Sequence, residues 1–375
     1  MAQIDLRWAT ADDAADYASV VEQVYLRGDT LSEADRIAAP GQLQAIARID
    51  GHPVGSFLVE SYEITCRGET LRCAGIAAVG VPPTSRGQGV GHALMGWALH
   101  ELRALGFDIA ALYGFSHRYY RAFGYETSGI RWQLTVPPHR MPKVRSDLTV
   151  RRVTPGKVLD LDACYREFAR QHTGVNLRTA DQWHRRLGEK APLVYAVGDP
   201  ICGYLWTKME GGFWDTLRIG ELVWSSREGY LALLDVVAGL IVNRKEAIWF
   251  EPHPSPFLSE FDDQGILASR ERPTMYRTLN VASVLEKVRV GGTWTVEVND
   301  PQLSANSGVW SSSGQASQVP ADFQVDQPAF TQAMLGDPSW STLRQFGRVT
   351  VQNEGNFKDV CARMPQTSVL CTEFF

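Results

Sequence analysis

The stretch 77–95, AAVGVPPTSRGQGVGHALM, holds residue types that suit one kind of chemistry. An apolar run ends in Val79, Gly80 and Val81. After two prolines come Arg86, Gly87, Gln88, Gly89, Val90, Gly91 and His92. Apolar residues then recur at helical spacing from Val90 to Leu105. A helix start presents bare N–H groups and about half a positive charge. Glycines let a ligand come close to those groups, and Arg86 adds a permanent cation. The pattern predicts a pyrophosphate site. A Rossmann site needs GxGxxG and an acid at the end of the next strand; this loop reads GxGxG and the next strand ends LYGF. The Walker GK[ST] is missing as well. A tight strand-to-helix turn without a ligand is the plainer reading, but strand, arginine, spaced glycines and helix arrive here together.

A second reactive stretch, FSHRYYRAFGYE (115–126), follows the next apolar strand. Tyr119 and Tyr120 are neighbouring phenols, and either an acid or an aromatic packing cluster suits the composition. The chain closes on CTEFF. Two phenylalanines at a terminus are unusual where polar, frayed residues are the norm, and burying each ring gains about 1.5–3 kcal/mol.

The elements that must position these residues read as β-α-α-β-β-β-α-β-α-β in the first third. Thr10 caps a helix, Asp50-Gly51 turns a strand pair, and ETLRCAGIAAVGV is a central strand. A Pro- and Arg-rich stretch at 135–148 reads as a linker. A similar order then repeats: strand and capped helix at 148–170, a hairpin at 193–210, strand-turn-helix at 217–242. From about Asn280 the pattern changes to α+β, with a strand at GGTWTVEVNDPQ and a hairpin around SSSGQASQ.

At 375 residues two or three domains are expected. The net charge of −5 disfavours nucleic acid as a partner. The first residues carry charges where a secretory leader would be apolar. The run LALLDVVAGLIV is too short to span a bilayer, so a cytoplasmic protein with no membrane partner is expected. The six cysteines form no CxxC, and the histidines show no HExxH, so no metal is expected. Cys66 and Cys73 flank a turn that can bring them face to face; reduced thiols are the favoured reading.

The Arg-x-x-Gly-x-Gly loop after a Val-x-Val strand resembles the GNAT acetyltransferases. With FSHRYYRAFGYE, and with MYRTLNVASVLEKV, TVEVND, AMLGDPSWSTLRQFGRV and a last Phe further on, the resemblance narrows to Eis-type (enhanced intracellular survival) N-acetyltransferases. It covers nearly the whole chain. It implies a mixed α/β, α+β architecture: a catalytic GNAT domain at 1–145, a second, degenerate one at 146–279, and a sterol-carrier-protein-like domain at 280–375.

The resemblance also implies roles. Acetyl-CoA is the co-substrate, its pyrophosphate on Arg86 and on Gly87, Gln88, Gly89, Val90, Gly91 and His92. The backbone of Val79, Gly80 and Val81 pairs with the pantetheine arm, and Phe115 and Ser116 reach the thioester. Tyr120, first in Tyr-x-x-Phe-Gly-Tyr, protonates the leaving thiolate, with Tyr119 as its rival. The carboxylate of Phe375 is the base. The acceptor is a primary amine on a cationic molecule (an aminoglycoside or polyamine) or on a peptide lysine. Asp29 and Glu33 are candidates to line its pocket, against solvated helix charges. The assembly is a homo-oligomer, by resemblance a hexamer. The second copy has Arg227 and Gly229 but no Gly-x-Gly, so no coenzyme is expected there. A non-catalytic acyl-CoA or lipid-binding protein is the reading from a different class.

Overall fold

A computed structural model describes residues 3–25, 38–187, 193–207, 212, 214–272 and 274–373. The chain forms two compact units. The first holds residues 1–128, 273–366 and 373–375; the second holds 129–272 and 367–372. These divisions fall away from the expected junctions at 145/146 and 279/280. Strand Arg131–Val136 belongs to the sheet of the second unit, and strand Thr274–Thr278 belongs to the sheet of the first. Each lies beyond the domain in which its neighbours in sequence were expected.

In the first unit the elements run β1 (Ile4–Trp8), α1 (Ala14–Tyr25), β2 (Gln42–Ile49), β3 (His52–Cys66), β4 (Glu69–Gly80), α2 (Val90–Ala104), β5 (Ile109–Tyr113), α3 (His117–Arg121) and β6 (Glu126–Thr127). Along the sheet the order is β1-β2-β3-β4-β5, then strand 274–278, then β6. β4 and β5 are parallel; their neighbours pair antiparallel. α1 enters through Thr10 and Asp13: the Asp13 carboxylate accepts from the Thr10 N–H at 2.9 Å and is clamped by Arg7 and Arg48. α2 buries Val90, Leu94, Met95, Ala98, Leu99 and Leu102. That stripe has the 3.6-residue period of a helix laid on a sheet, and it packs on Ala45, Phe57, Val59 and Ile76. Gly106, at φ +79°, ends the helix.

Cys66 and Cys73 do not face each other. In the β3–β4 ladder Cys66 sits opposite Glu69 and Cys73 opposite Tyr62; both are buried and neither is in a disulfide. Burial pushes the Cys66 thiol up to about 12, so it stays protonated and unreactive.

The first unit also contains a small sheet of strands 308–311, 295–299, 323–326 and 349–351, in that order. The Ser-rich loop closes a tight hairpin as expected, Ser311 N–H donating to Gln315 O and Ser317 N–H to Val309 O at 2.8 Å each with Trp310 bridging Ala316, but the sheet strands on either side of it, 308–311 and 323–326, do not pair with each other. Strand 295–299 lies between them, antiparallel to 308–311 and parallel to 323–326. Burial decides this: strand 295–299 buries Val296 and Val298. Phe323 meets Trp340, Trp294 and Phe357 at centroid distances of 5.1, 5.6 and 5.8 Å, and the four rings fill the core.

The second unit has the sheet order 267–271, 131–136, 247–252, 217–224, 203–207, 193–197, 150–153, with helices 162–170 and 227–240 packed on it. Inside it Arg178 and Glu221 form a buried ion pair that Tyr204 joins at 2.9 Å. Residues 367–372 also belong here. Leu370 N–H donates to Thr173 O at 2.8 Å, and Arg186 donates to Thr372 O at 3.0 Å.

Candidate active site

The site grows from a place where two strands part. β4 and β5 pair from Cys73↔Ile109 to Ile76↔Leu112 and no further. Beyond Ile76, β4 is bulged: Leu58 of β3 faces Ala77 and Ser56 faces Gly80, so two residues, Ala78 and Val79, oppose Phe57 alone. Ala78 takes φ +49°, rare for a residue with a side chain. Tyr25, the last residue of α1, donates its hydroxyl to Val79 O at 3.3 Å. A cavity of about 1180 Å³ opens in this gap.

One end of the cavity is the glycine loop. Gly87 and Gly89 have φ +80° and +82°, and nothing lies within 4 Å of where a Cβ would stand. Gly89 is the N-cap of α2 and brings no side-chain cap. The N–H groups of Gly87 through His92 meet no acceptor among the described residues. These are the orphan donors of a helix start, turned to open space. Arg86 is exposed, its Nε 3.3 Å from Val81 O, so its Nη groups remain for a ligand. Gln88 turns its amide to Thr84 O, and the His92 ring packs 4.8 Å from Phe123. The Gln88 amide is thus turned away from the cradle, while the His92 backbone adds to it. An anion with close-set oxygens fits this cradle.

The other end is aromatic. Ser116 caps α3 by accepting from Tyr119 N–H at 3.4 Å, which sets Tyr119 and Tyr120 on successive faces. The Tyr119 hydroxyl lies 2.8 Å from where a Gly91 Cβ would be, so Tyr119 packs on the start of α2, beside the loop. Tyr120 is buried, lines the cavity, and takes no partner for its hydroxyl among the described residues. Burial, with Tyr119 and Tyr25 nearby, holds its phenol well above the usual tyrosine range. Phe115 is 77% exposed and stacks on Tyr119 at 5.7 Å. Gly114 makes room: a Cβ there would meet the Tyr120 ring at 3.1 Å and Met275 at 3.0 Å.

Of the sequence-derived candidates, Val79, Val81, Arg86, Gly87, Gly89, Val90, Gly91, His92, Phe115 and Tyr120 line the cavity. Gly80 and Gln88 sit in the same strand and loop, and Ser116 acts locally as a cap. Phe375, Asp29 and Glu33 lie outside the described residues. Sequence reasoning missed Tyr25 and Tyr113, which also line the cavity. Tyr113 is a phenol ending an otherwise apolar strand, which was an available signal; Tyr25 ends a mixed helix and offered none.

The corresponding start in the second unit differs. Ser226 caps helix 227–240 by accepting from Gly229 N–H at 3.1 Å. A Cβ on Gly229 would run into the Cys202 carbonyl. Here the glycine serves close packing, and the helix start is closed by protein. Among the described residues no cluster of three or more His, Cys, Asp or Glu has metal-binding placement, and no helix is long and apolar enough to cross a membrane.

Residues 5–128 match the family model of the acetyltransferase (GNAT) domain, and residues 281–371 match that of the sterol carrier protein domain. Residues 5–128 therefore form a GNAT acetyltransferase domain, which makes the chain an N-acetyltransferase, with a sterol-carrier-like domain following. Over most of its length the chain is similar to Eis-type N-acetyltransferases. It is 25% identical over 332 residues to the N-acetyltransferase Eis of Mycobacterium tuberculosis (strain ATCC 25177 / H37Ra), with 80% of each chain covered. In structure it is similar to a GCN5-related N-acetyltransferase from Anabaena variabilis (TM-score 0.86, 20% identity, both chains covered in full). It is also similar to Eis1 from Mycobacterium abscessus (TM-score 0.80, 20% identity, both covered in full); at these identities the two structures speak for the fold.

Proposed function

We propose that this chain transfers an acetyl group from acetyl-CoA to the primary amine of a cationic small molecule, in the cavity between β4 and β5. One observation carries the reading: a loop of N–H groups and a buried phenol whose hydroxyl, like them, meets no partner among the described residues line one cavity. The pyrophosphate rests on Gly87–His92 and Arg86. The pantetheine arm runs along Ala77–Val81, where β5 no longer pairs. The amine nitrogen attacks the thioester carbonyl, and backbone N–H groups near Val79 polarise it. The nitrogen gives one proton to a base, the C–S bond breaks, and the sulfur takes the Tyr120 proton. Amide and free coenzyme thiol leave, and the proton on the base returns through solvent to the phenolate.

Tyr120 fits the acid better than Tyr119, whose hydroxyl is set against Gly91 at the phosphate end. Its raised pKa keeps it protonated until sulfur develops charge beside it. The base is assigned to the carboxylate of Phe375, in keeping with the Eis resemblance. Thiol release with acetyl-CoA against a panel of aminoglycosides, polyamines and lysine peptides tests the reading. Turnover with the first two groups supports it; turnover with peptides alone moves the acceptor to protein lysines; no release with any amine refutes it.

A further inference from the structure

The bulge in β4 is held by a side chain that the proposed chemistry does not use. Past Ile76 the strand has no β5 partner. Ala78 then sits at φ +49°, a backbone that costs a residue with a side chain about 1–2 kcal/mol. Such strain persists only where the surroundings impose it, and it collects at functional sites. The β3 side fixes both flanks, with Leu58 opposite Ala77 and Ser56 opposite Gly80. The other hold comes from the last turn of α1. Tyr25 donates its hydroxyl to Val79 O at 3.3 Å. Val24, the residue before it, fills the space that a side chain at Gly80 would need: a Cβ there would stand 3.0 Å from Val24 Cγ2. Val24 and Tyr25 line the cavity together with Ala77, Ala78 and Val79. Tyr25 is 46% exposed, so burial alone does not fix its ring. A peptide unit is planar, so a donor on the Val79 carbonyl sets the orientation of the whole Val79–Gly80 peptide.

We infer that Tyr25 is a positioning residue for acetyl transfer: through the Val79 carbonyl its hydroxyl holds the β4 bulge in the conformation that presents backbone N–H groups to the thioester oxygen. The inference rests on the proposed acetyl-CoA site in this cavity. Donors of that kind act on the charge that develops as the amine adds, so their alignment bears on kcat more than on cofactor binding. A hydroxyl that only ties α1 to the sheet would show in the melting temperature and leave the bound thioester unchanged.

Tyr25→Phe removes one oxygen and keeps the ring. On the intact chain, kcat and KM are measured with the amine that the thiol-release panel turns over fastest, and a thermal melt follows the fold. The infrared carbonyl band of bound acetyl-CoA, isotopically labelled at the acetyl carbonyl, reports the polarisation of the thioester. Losing one preorganised donor costs about 10²–10³-fold. Tyr25 acts one step removed, through the backbone, so kcat should fall by about ten- to a hundredfold, while the KM for acetyl-CoA and the melting temperature stay close to those of the parent. In the parent the band should lie below that of free acetyl-CoA, and in the variant it should move back toward the free position. A wild-type kcat, a band at the parent's position, or a rate loss that comes with a fallen melting temperature overturns the inference. If the parent itself neither shifts the band nor releases thiol, the acetyl-transfer reading fails and the role of Tyr25 falls with it. If the parent shifts the band and Tyr25→Phe shifts it equally, only the role of Tyr25 fails.

Discussion

Replacing Tyr120 by Phe takes one oxygen from a buried ring and leaves its packing. The ring meets Tyr119 at 5.1 Å, Phe115 at 5.4 Å and Tyr125 at 6.2 Å, and none of these contacts uses the hydroxyl. No protein partner is stranded, because the hydroxyl has none among the described residues. The stability change should therefore stay within about 1 kcal/mol, since no buried hydrogen bond is broken. Tyr120→Ala is different: it empties an aromatic site, and such truncations cost about 3–5 kcal/mol. The catalytic effect of Tyr120→Phe should be large, because a positioned general acid contributes about 10²–10⁴-fold. The assay is stopped-flow thiol release at saturating acetyl-CoA and amine, with calorimetry for the cofactor and a thermal melt for the fold. The wild-type rate should show no alkaline decline through pH values of about 10, the ordinary tyrosine pKa, because burial raises that of Tyr120. A mutant that retains most of its rate, or a Tyr119→Phe variant that loses more, would refute the choice of Tyr120.

Gly89→Val should fold, since no atom lies near the added Cβ, at a cost of about 1–2 kcal/mol for a left-handed backbone; calorimetry should show acetyl-CoA binding lost. Gly229→Ala should do the reverse, lowering the melting temperature through the clash with the Cys202 carbonyl while acetyl-CoA affinity is kept. Glu221→Gln should destabilise by about 3–5 kcal/mol in a denaturant titration near neutral pH, as expected when one partner of a buried ion pair is removed. Burial alone would raise the Glu221 pKa, but Arg178 and Arg186 bring it below the ordinary glutamate value. Its contribution is present above that ordinary value and fades as pH falls through the lowered one. The penalty of Glu221→Gln should accordingly shrink in acid, and a penalty independent of pH would contradict this.

The glycine loop was legible because each position there asks for a particular residue type. Positive φ at Gly87 and Gly89, an uncapped helix start and a fixed cation leave little choice of sequence. For the proposed acid the sequence left Tyr119 and Tyr120 as rivals one residue apart, and the preference for Tyr120 rests on Tyr119 packing against Gly91. The bulge at Ala78 left no mark, because alanine does not announce a left-handed backbone. The exchange of strands 131–136 and 274–278 was equally hidden. A strand's pattern tells which of its faces is buried but not which sheet supplies the neighbour. Leu134 and Val136 read the same against residues 247–252 as they would against β5. The hairpin tip at the Ser-rich loop was legible, but proximity in sequence did not show that strand 295–299, with Val296 and Val298 buried, lies between 308–311 and 323–326.

The central claim is that one cavity, in the first unit alone, binds acetyl-CoA through the Gly87–His92 loop. Calorimetric titration of the intact chain with acetyl-CoA tests it most directly, with the Gly89→Val protein titrated alongside. The account predicts one site per chain in the parent and no measurable heat of binding in the variant. Two equivalent sites per chain, or an unchanged isotherm in the Gly89→Val protein, would contradict it.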